Sequence, residues 1–279
     1  MSENVLKIDG MTVRFGGLTA VDSFSMYINK GELIGLIGPN GAGKTTVFNA
    51  ITGIYKPQSG RIFFKGIDIT GQSPHLINQI GIARTFQNIR LFSDMSVIEN
   101  VMVGQHSYFT NGKALKFLHK HNSEYPKPSW KPWLVSAILK MPSYLKVEKA
   151  MKDKAFELLK RMGLQKYADY KALSLPYGQQ RKVEIARALA TNPSLLILDE
   201  PAAGMNPHES EELLETVKEI MKEFSLTILL IEHDMKFVMN LCERIYVLDY
   251  GRLISHGSPY EVQNDKKVIE AYLGDEVYA

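Results

Sequence analysis

Apolar residues in the first part of the chain fall in short β-branched and aromatic runs rather than helical repeats. Residues 5–8, 11–15 and 24–28, bounded by Gly10, Gly16-Gly17 and Lys30-Gly31, read as strands. The run Leu33-Ile34-Gly35-Leu36-Ile37 has no polar alternation, which predicts a strand buried on both faces. A glycine-rich turn follows it, then a helix over 44–52. Residues 61–64 and 67–69 are strands around Gly66. Ser73-Pro74 opens a short helix, because proline is tolerated at the first helical position, and 83–86 is a further strand. From Ser96 the period becomes helical, and Ser96 with Glu99 three residues on is a capping-box pattern. Helix runs to about Gln105, lapses, and resumes over 148–162 and 178–190. Buried-strand runs then return at 195–198, 227–231 and 245–248, separated by amphipathic helices at 207–223 and 235–241. Strands alternating with helices predict a mostly parallel α/β sheet, with a helical block of about 88–180 inserted into it.

Composition narrows the class. Of 279 residues 45% are hydrophobic and 23% charged, the balance of a folded globular chain rather than a disordered one. The single cysteine, Cys242, excludes an intrachain disulfide scaffold. The first residues carry no basic start followed by an apolar run, and no stretch approaches the ~18 apolar residues of a spanning helix. The expectation is a cytoplasmic protein that reaches a membrane only through a partner. Charge is unevenly spread. Residues 106–147 hold seven lysines and one acid, Glu124, a net +6 against −3 for the remainder, together with Trp130, Trp133 and four prolines. This reads as an insertion with its own composition. Its lysines and tryptophans suit the bilayer surface or the cytoplasmic loops of a membrane partner, and a solvated proline-rich loop is the plainer alternative.

The strongest chemical feature is Gly38-Pro39-Asn40-Gly41-Ala42-Gly43-Lys44-Thr45, which fits G-x-x-x-x-G-K-[ST] at every defined position between a buried strand and a helix. Glycines allow backbone N–H groups to curl around an anion. The helix that follows, through Thr45 and Thr46, presents unpaired N–H groups and a positive dipole end. Lys44 adds a charge for β- and γ-phosphates, and the Thr45 hydroxyl can ligate Mg²⁺. The run Leu195-Leu196-Ile197-Leu198-Asp199-Glu200 places two carboxylates at the C-terminal end of a buried strand, where open α/β sheets bind ligands. Asp199 suits Mg²⁺ through water, and Glu200 suits polarisation of an attacking water.

In this order the phosphate loop, Gln87, Tyr177-Gly178-Gln179-Gln180-Arg181, Asp199-Glu200 and His233 resemble the ATP-binding cassette (ABC) ATPases over nearly the whole chain. The resemblance implies an α/β fold with a P-loop NTPase core, an antiparallel β edge and an inserted helical subdomain. Residues 1–87 and 181–279 would form the nucleotide-binding core, and 88–180 the helical and signature subdomain. It implies a head-to-tail dimer of two ATPase subunits, of the same or different kinds, with two ATP molecules between them. Each ATP meets residues 38–46 of one subunit and Tyr177, Gly178 and Gln179 of the other. Phe15 matches the aromatic that stacks on adenine. Gln87 matches a Mg²⁺ ligand and sensor facing the membrane partner. His233 matches the switch histidine that contacts the γ-phosphate and orients Glu200. ATP and Mg²⁺ are the implied cofactors, and catalysis falls to Lys44, Glu200 and His233.

Two departures narrow the branch. The signature reads Leu175-Pro176-Tyr177-Gly178-Gln179, so Pro176 stands where serine is usual and lacks both hydroxyl and N–H. Ala203-Gly204-Met205-Asn206 departs from the usual serine, leucine and aspartate. Tyr177 to Arg181, residues 199–207, Ile82 to Asn88, the ending Ala271-Tyr272-Leu273-Gly274 and the insertion look like the ATPase subunit of branched-chain amino acid importers. The implied partners are two transmembrane permease subunits at the cytoplasmic face and, indirectly, an extracytoplasmic solute-binding protein. Related subunits serve urea and short-amide importers and the lipopolysaccharide exporter. A non-transport ABC ATPase would carry two cassettes or long coiled coils. The lack of arginine and the prolines in the insertion argue against a nucleic-acid partner.

Overall fold

The computed structural model describes residues 4–105, 142–232 and 235–276. Both tryptophans, most of the lysine-rich insertion and His233 lie outside the described residues. In chain order the first elements are β1 (Asn4–Phe15), β2 (Leu18–Asn29), β3 (Leu33–Ile37), α1 (Lys44–Ile51), β4 (Ser59–Phe64), β5 (Ile67–Asp68), α2 (Pro74–Gln79) and β6 (Ile82–Arg84). Helices α3 (Val97–Gly104), α4 (Pro142–Arg161) and α5 (Tyr177–Ala190) follow. The chain then runs through β7 (Leu195–Asp199), α6 (Pro207–Phe224), β8 (Thr227–Ile231), α7 (Met235–Leu241), β9 (Arg244–Asp249), β10 (Arg252–Gly257), α8 (Pro259–Gln263) and α9 (Lys266–Glu276). These form two compact units, residues 1–77 with 194–279, and residues 78–193.

The first unit contains an antiparallel sheet in the order β2-β1-β4-β5 and a mainly parallel one in the order β10-β9-β3-β8-β7. In the second, β3 is parallel to both β9 and β8, and β8 to β7. Every residue of β3, β7 and β8 is buried, as their unbroken apolar runs require. The expected break at Gly10 does not occur. β1 runs through it, because a shift in register between Ile8 and Met11 absorbs Gly10 at φ 57°. Helix α6 is closed by an Asn206–Glu209 capping box with proline in its first turn, and it buries Leu213, Thr216, Val217 and Ile220, one face at helical spacing. The hairpin strand β10 and helices α8 and α9 complete this unit beyond the expected elements.

In the second unit both bonds of the Ser96–Glu99 capping box are present at the start of α3. Helix α3 packs against α4 and α5. Helix α4 starts at Pro142, ahead of the expected 148. The division between units falls at 77/78 and 193/194, against the expected 87/88 and 180/181. The second difference has a local cause: α5 is continuous from Tyr177 to Ala190, so a boundary at 181 would cut a helix.

Candidate functional site

The site in the first unit is built from the C-terminal ends of adjacent parallel strands. Leu36 pairs with Ile231, and Ile231 with Asp199, so the ends of β3, β8 and β7 lie level. At a spacing of ~4.8 Å per strand, Leu36 and Asp199 stand about 10 Å apart. The loop from Gly38 leaves β3 at that edge, with Gly38 and Pro39 buried and Asn40 and Gly41 exposed. Gly43 caps α1 at φ 102° without any side-chain capping bond, and α1 has no acid in its first turn. A helix start of this kind leaves its amide donors and positive dipole end for an anion.

The loop is held from outside by backbone. Ala42 accepts from the Gly251 amide at 2.9 Å, and Gly251 in turn accepts from Asp22 at 2.8 Å. A Cβ on Gly43 would come to 2.5 Å from the Ala20 carbonyl oxygen, so only glycine fits there. Lys44 is 8% exposed, and its Nζ donates to the Gly38 and Pro39 carbonyls at 2.6 and 2.8 Å. The ammonium is thereby anchored inside its own loop. Thr45 is exposed and Thr46 half-buried.

Asp199 is buried at the end of β7, and Glu200 follows at φ 44°, a conformation uncommon for a residue with a side chain. The Glu200 amide continues the β7–β8 ladder to the Ile231 carbonyl at 2.9 Å, and its carbonyl accepts from Ala203 at 3.2 Å. Glu232 is fully buried one residue past β8, and its carboxylate accepts from the Ala202 amide at 2.8 Å. It was not foreseen as a site residue. The signal was an acid placed directly after an unbroken apolar run. His233, the next residue, is outside the described residues. Phe15 is 44% exposed at the end of β1, in a T-shaped contact with the Tyr55 ring at 5.0 Å between centroids, so it is a surface aromatic rather than a core one. The Thr45 hydroxyl and Asp199 carboxylate are hard oxygen donors, the chemistry that fits Mg²⁺ rather than a softer metal.

Gln87, Tyr177, Gly178 and Gln179 belong to the second unit. Pro176 is the N-cap of α5, with no side-chain capping bond, and its carbonyl accepts from Gln179 and Gln180 at 3.0 Å each. Tyr177 is exposed, Gly178 half-buried, and Gln179 Nε2 approaches the Tyr167 hydroxyl at 3.5 Å. Sequence reasoning missed a buried cluster in this unit. Arg181, inside α5, donates to the Phe86 and Gln87 carbonyls and pairs with Glu184. Burial pushes the Glu184 carboxyl up, against the downward pull of Arg181 and Arg187.

A parallel sheet whose central strand ends in a glycine-rich phosphate loop, with a carboxylate pair level with it, defines a P-loop nucleotide-hydrolase domain. Known proteins agree. Residues 21–203 match the ABC transporter family model, and residues 252–278 match that of the branched-chain amino acid ATP-binding cassette transporter. The high-affinity branched-chain amino acid transport ATP-binding protein LivG of Escherichia coli K12 is 43% identical, over 99% of this chain and 100% of its own. BraF of Pseudomonas aeruginosa, described in the same words, is 38% identical with the same coverage. A nucleotide-free ATP-binding cassette from an ABC transporter superposes with a TM-score of 0.78 at 34% identity, covering 96% of this chain and 98% of that one. The ADP conformation of such a cassette gives 0.78 and 34%, covering 97% and 99%. The chain belongs to the ATP-binding cassette family of transport ATPases.

Proposed function

We propose that this chain is the ATP-hydrolysing subunit of an importer for branched-chain, hydrophobic amino acids. It would act at the cytoplasmic face of the cell membrane with a second ATPase subunit, head to tail, and two permease subunits. A separate solute-binding protein would deliver the cargo. What carries the reading is the Lys44 loop level with Asp199 and Glu200 at one strand edge. The solute class is supported by the 43% identical relatives and by the match over residues 252–278. Among the described residues no helix is long and apolar enough to cross a membrane.

In this reading Phe15 stacks on the adenine. Amides of residues 38–46 and the Lys44 ammonium hold the phosphates and offset their charge. Thr45, Asp199 and Gln87 would hold Mg²⁺, which when bound neutralises charge on the phosphate oxygens. Glu200 orients the attacking water and takes up its proton as the γ-phosphoryl group transfers, and His233 steadies that arrangement. Tyr177, Gly178 and Gln179 offer the start of α5 to the partner subunit's ATP. ATP closes the dimer, and hydrolysis lets it reopen.

The test is Lys44→Ala. The substitution removes both the charge and two bonds that close the loop on itself, so tight nucleotide binding should vanish in a titration. Unchanged affinity would refute the assignment. Identification of the membrane proteins that copurify in mild detergent, with uptake of radiolabelled leucine by the complex, tests the solute.

A further inference from the structure

Arg181 is wholly buried, and its guanidinium ends on acceptors from two separate stretches of chain. Nη1 donates to the Phe86 carbonyl at 2.6 Å and to the Glu184 carboxylate at 2.7 Å. Nη2 donates to the Gln87 carbonyl at 2.6 Å and, less closely, to the Tyr177 hydroxyl at 3.4 Å. Tyr177 and Glu184 belong to α5, whose first turn carries the signature motif. Phe86 and Gln87 lie on the segment that follows β6. Glu184 strengthens the tie from the other side, accepting from the Arg90 amide at 3.4 Å. The Arg90 guanidinium lies 4.5 Å from the centroid of the Phe86 ring.

Fork geometry matters here. A planar guanidinium bonded to two successive carbonyls fixes both the position and the direction of that backbone, whereas an ammonium, with three rotatable donors on one nitrogen, can hold carbonyls but constrains their direction far less. Burying a charge is costly, and well-packed apolar groups often stabilise as well or better. An ion pair at this place therefore makes more sense as a register than as a source of stability.

We propose that Arg181 is a positioning residue that locks Gln87 to the first turn of α5. The residue that reads the ATP of its own subunit and the motif that reads the partner's then move as one body. The proposal rests on the ATPase reading above, and it adds a mechanical link between two parts that reading leaves separate. Arg181 touches no substrate. Its effect on turnover passes through Gln87.

The experiment is a double-substitution cycle in the full chain with Mg-ATP: Arg181→Met, Gln87→Ala, the pair together, and Arg181→Lys. Rates over a range of ATP concentrations and thermal midpoints are measured for each. Arg181→Met should lower kcat about tenfold and change KM less than about twofold, because the phosphate loop is untouched. Arg181→Lys should recover little, since one ammonium nitrogen cannot reproduce the planar fork that places separate Nη1 and Nη2 donors on the Phe86 and Gln87 carbonyls while also meeting Glu184. In the Gln87→Ala background, Arg181→Met should change kcat by less than about twofold, because residues acting through one another are not additive. If Arg181→Met does not fold, Glu184→Gln weakens the same tie with little change of shape, and its loss of kcat must show the same dependence on Gln87. An equal loss in both backgrounds, or full rescue by lysine, would overturn the proposal alone. A wild-type chain that hydrolyses no ATP would overturn the ATPase reading and this proposal with it.

Discussion

Gly38 lies so close to the carbonyl oxygen of Leu248 that an added Cβ would overlap it. The phosphate loop therefore leaves β3 through a slot that β9 leaves too narrow for any side chain. The obstacle is backbone within a sheet, which cannot turn aside as a flexible side chain can. Gly38→Ala must move the loop rather than Leu248. Because nucleotide is read by loop amides, we expect its affinity to fall about 5- to 150-fold, matching a strain of ~1–3 kcal/mol for overpacking. Nucleotide titration beside a melting curve checks this. Gly41 is the control, since a Cβ there meets nothing within 4 Å, although its φ of 77° still disfavours alanine.

Glu200→Gln should bind nucleotide as the wild type does while losing turnover by about 10²–10⁴-fold, the range for removing a general base. Glutamine keeps the shape and the backbone conformation at φ 44°, so loss of fold is not expected. Single-turnover hydrolysis and sedimentation with Mg-ATP are the measurements, the second to detect a trapped closed dimer. Turnover at the wild-type rate would move the base to another residue.

The parts legible in the sequence share a property: each is carried by neighbours along the chain. β3 with its loop, and β7 with Asp199-Glu200, need only an apolar run, glycines at fixed spacing and acids at a strand end. Arg181 was illegible as a clamp because, between Gln180 and Lys182, it reads as part of a solvated helix face. Its burial depends on carbonyls of Phe86 and Gln87 about 95 residues earlier in the chain. The continuity of β1 through Gly10 was hidden for a similar reason. The Gly10 amide is satisfied by Ser25 Oγ on β2 at 2.9 Å, and no local pattern announces that partner. The reach of the second unit to residue 193 follows from the unbroken α5, whereas a motif ending at Gln179 invited an earlier cut.

Acid stability should depend on Glu32. Burial alone would raise its carboxyl, but bonds from the Asn29 backbone and side chain and from Arg244 outweigh this and hold it below its ordinary value of 4.5. A carboxyl with a lowered folded pKa contributes stability that is present above its unfolded value. That contribution drains away as pH falls through the lower folded one. The bonds join the turn after β2 to β9, with Arg244 2.8 Å from the carboxylate. Glu32→Gln should therefore lower the melting temperature near neutral pH and flatten its fall as pH drops below the ordinary carboxyl value of 4.5. A parallel curve, merely displaced, would show that Glu32 contributes packing alone.

Pro176→Ser tests the departure in the signature motif. Pro176 is the N-cap of α5 and offers no side-chain acceptor to the helix start. Serine at an N-cap accepts from the amide two or three residues on, a gain of ~0.5–2 kcal/mol over a residue that cannot. At this position the acceptor would face Gly178 or Gln179, and the Gln179 amide now donates to the Pro176 carbonyl at 3.0 Å. Serine also brings a hydroxyl and an N–H to the edge assigned to the partner's γ-phosphate, where a charge-assisted bond is worth ~1.5–3 kcal/mol. Against this, proline restricts the unfolded chain, and its loss costs ~0.4–1 kcal/mol. The balance predicts a melting temperature unchanged or slightly raised, and ATPase activity at or above that of the wild type. Calorimetry and steady-state hydrolysis at saturating Mg-ATP read the two quantities separately. A large loss of activity with an unchanged melting temperature would assign Pro176 to the shape of the signature turn itself, ahead of any hydroxyl it displaces.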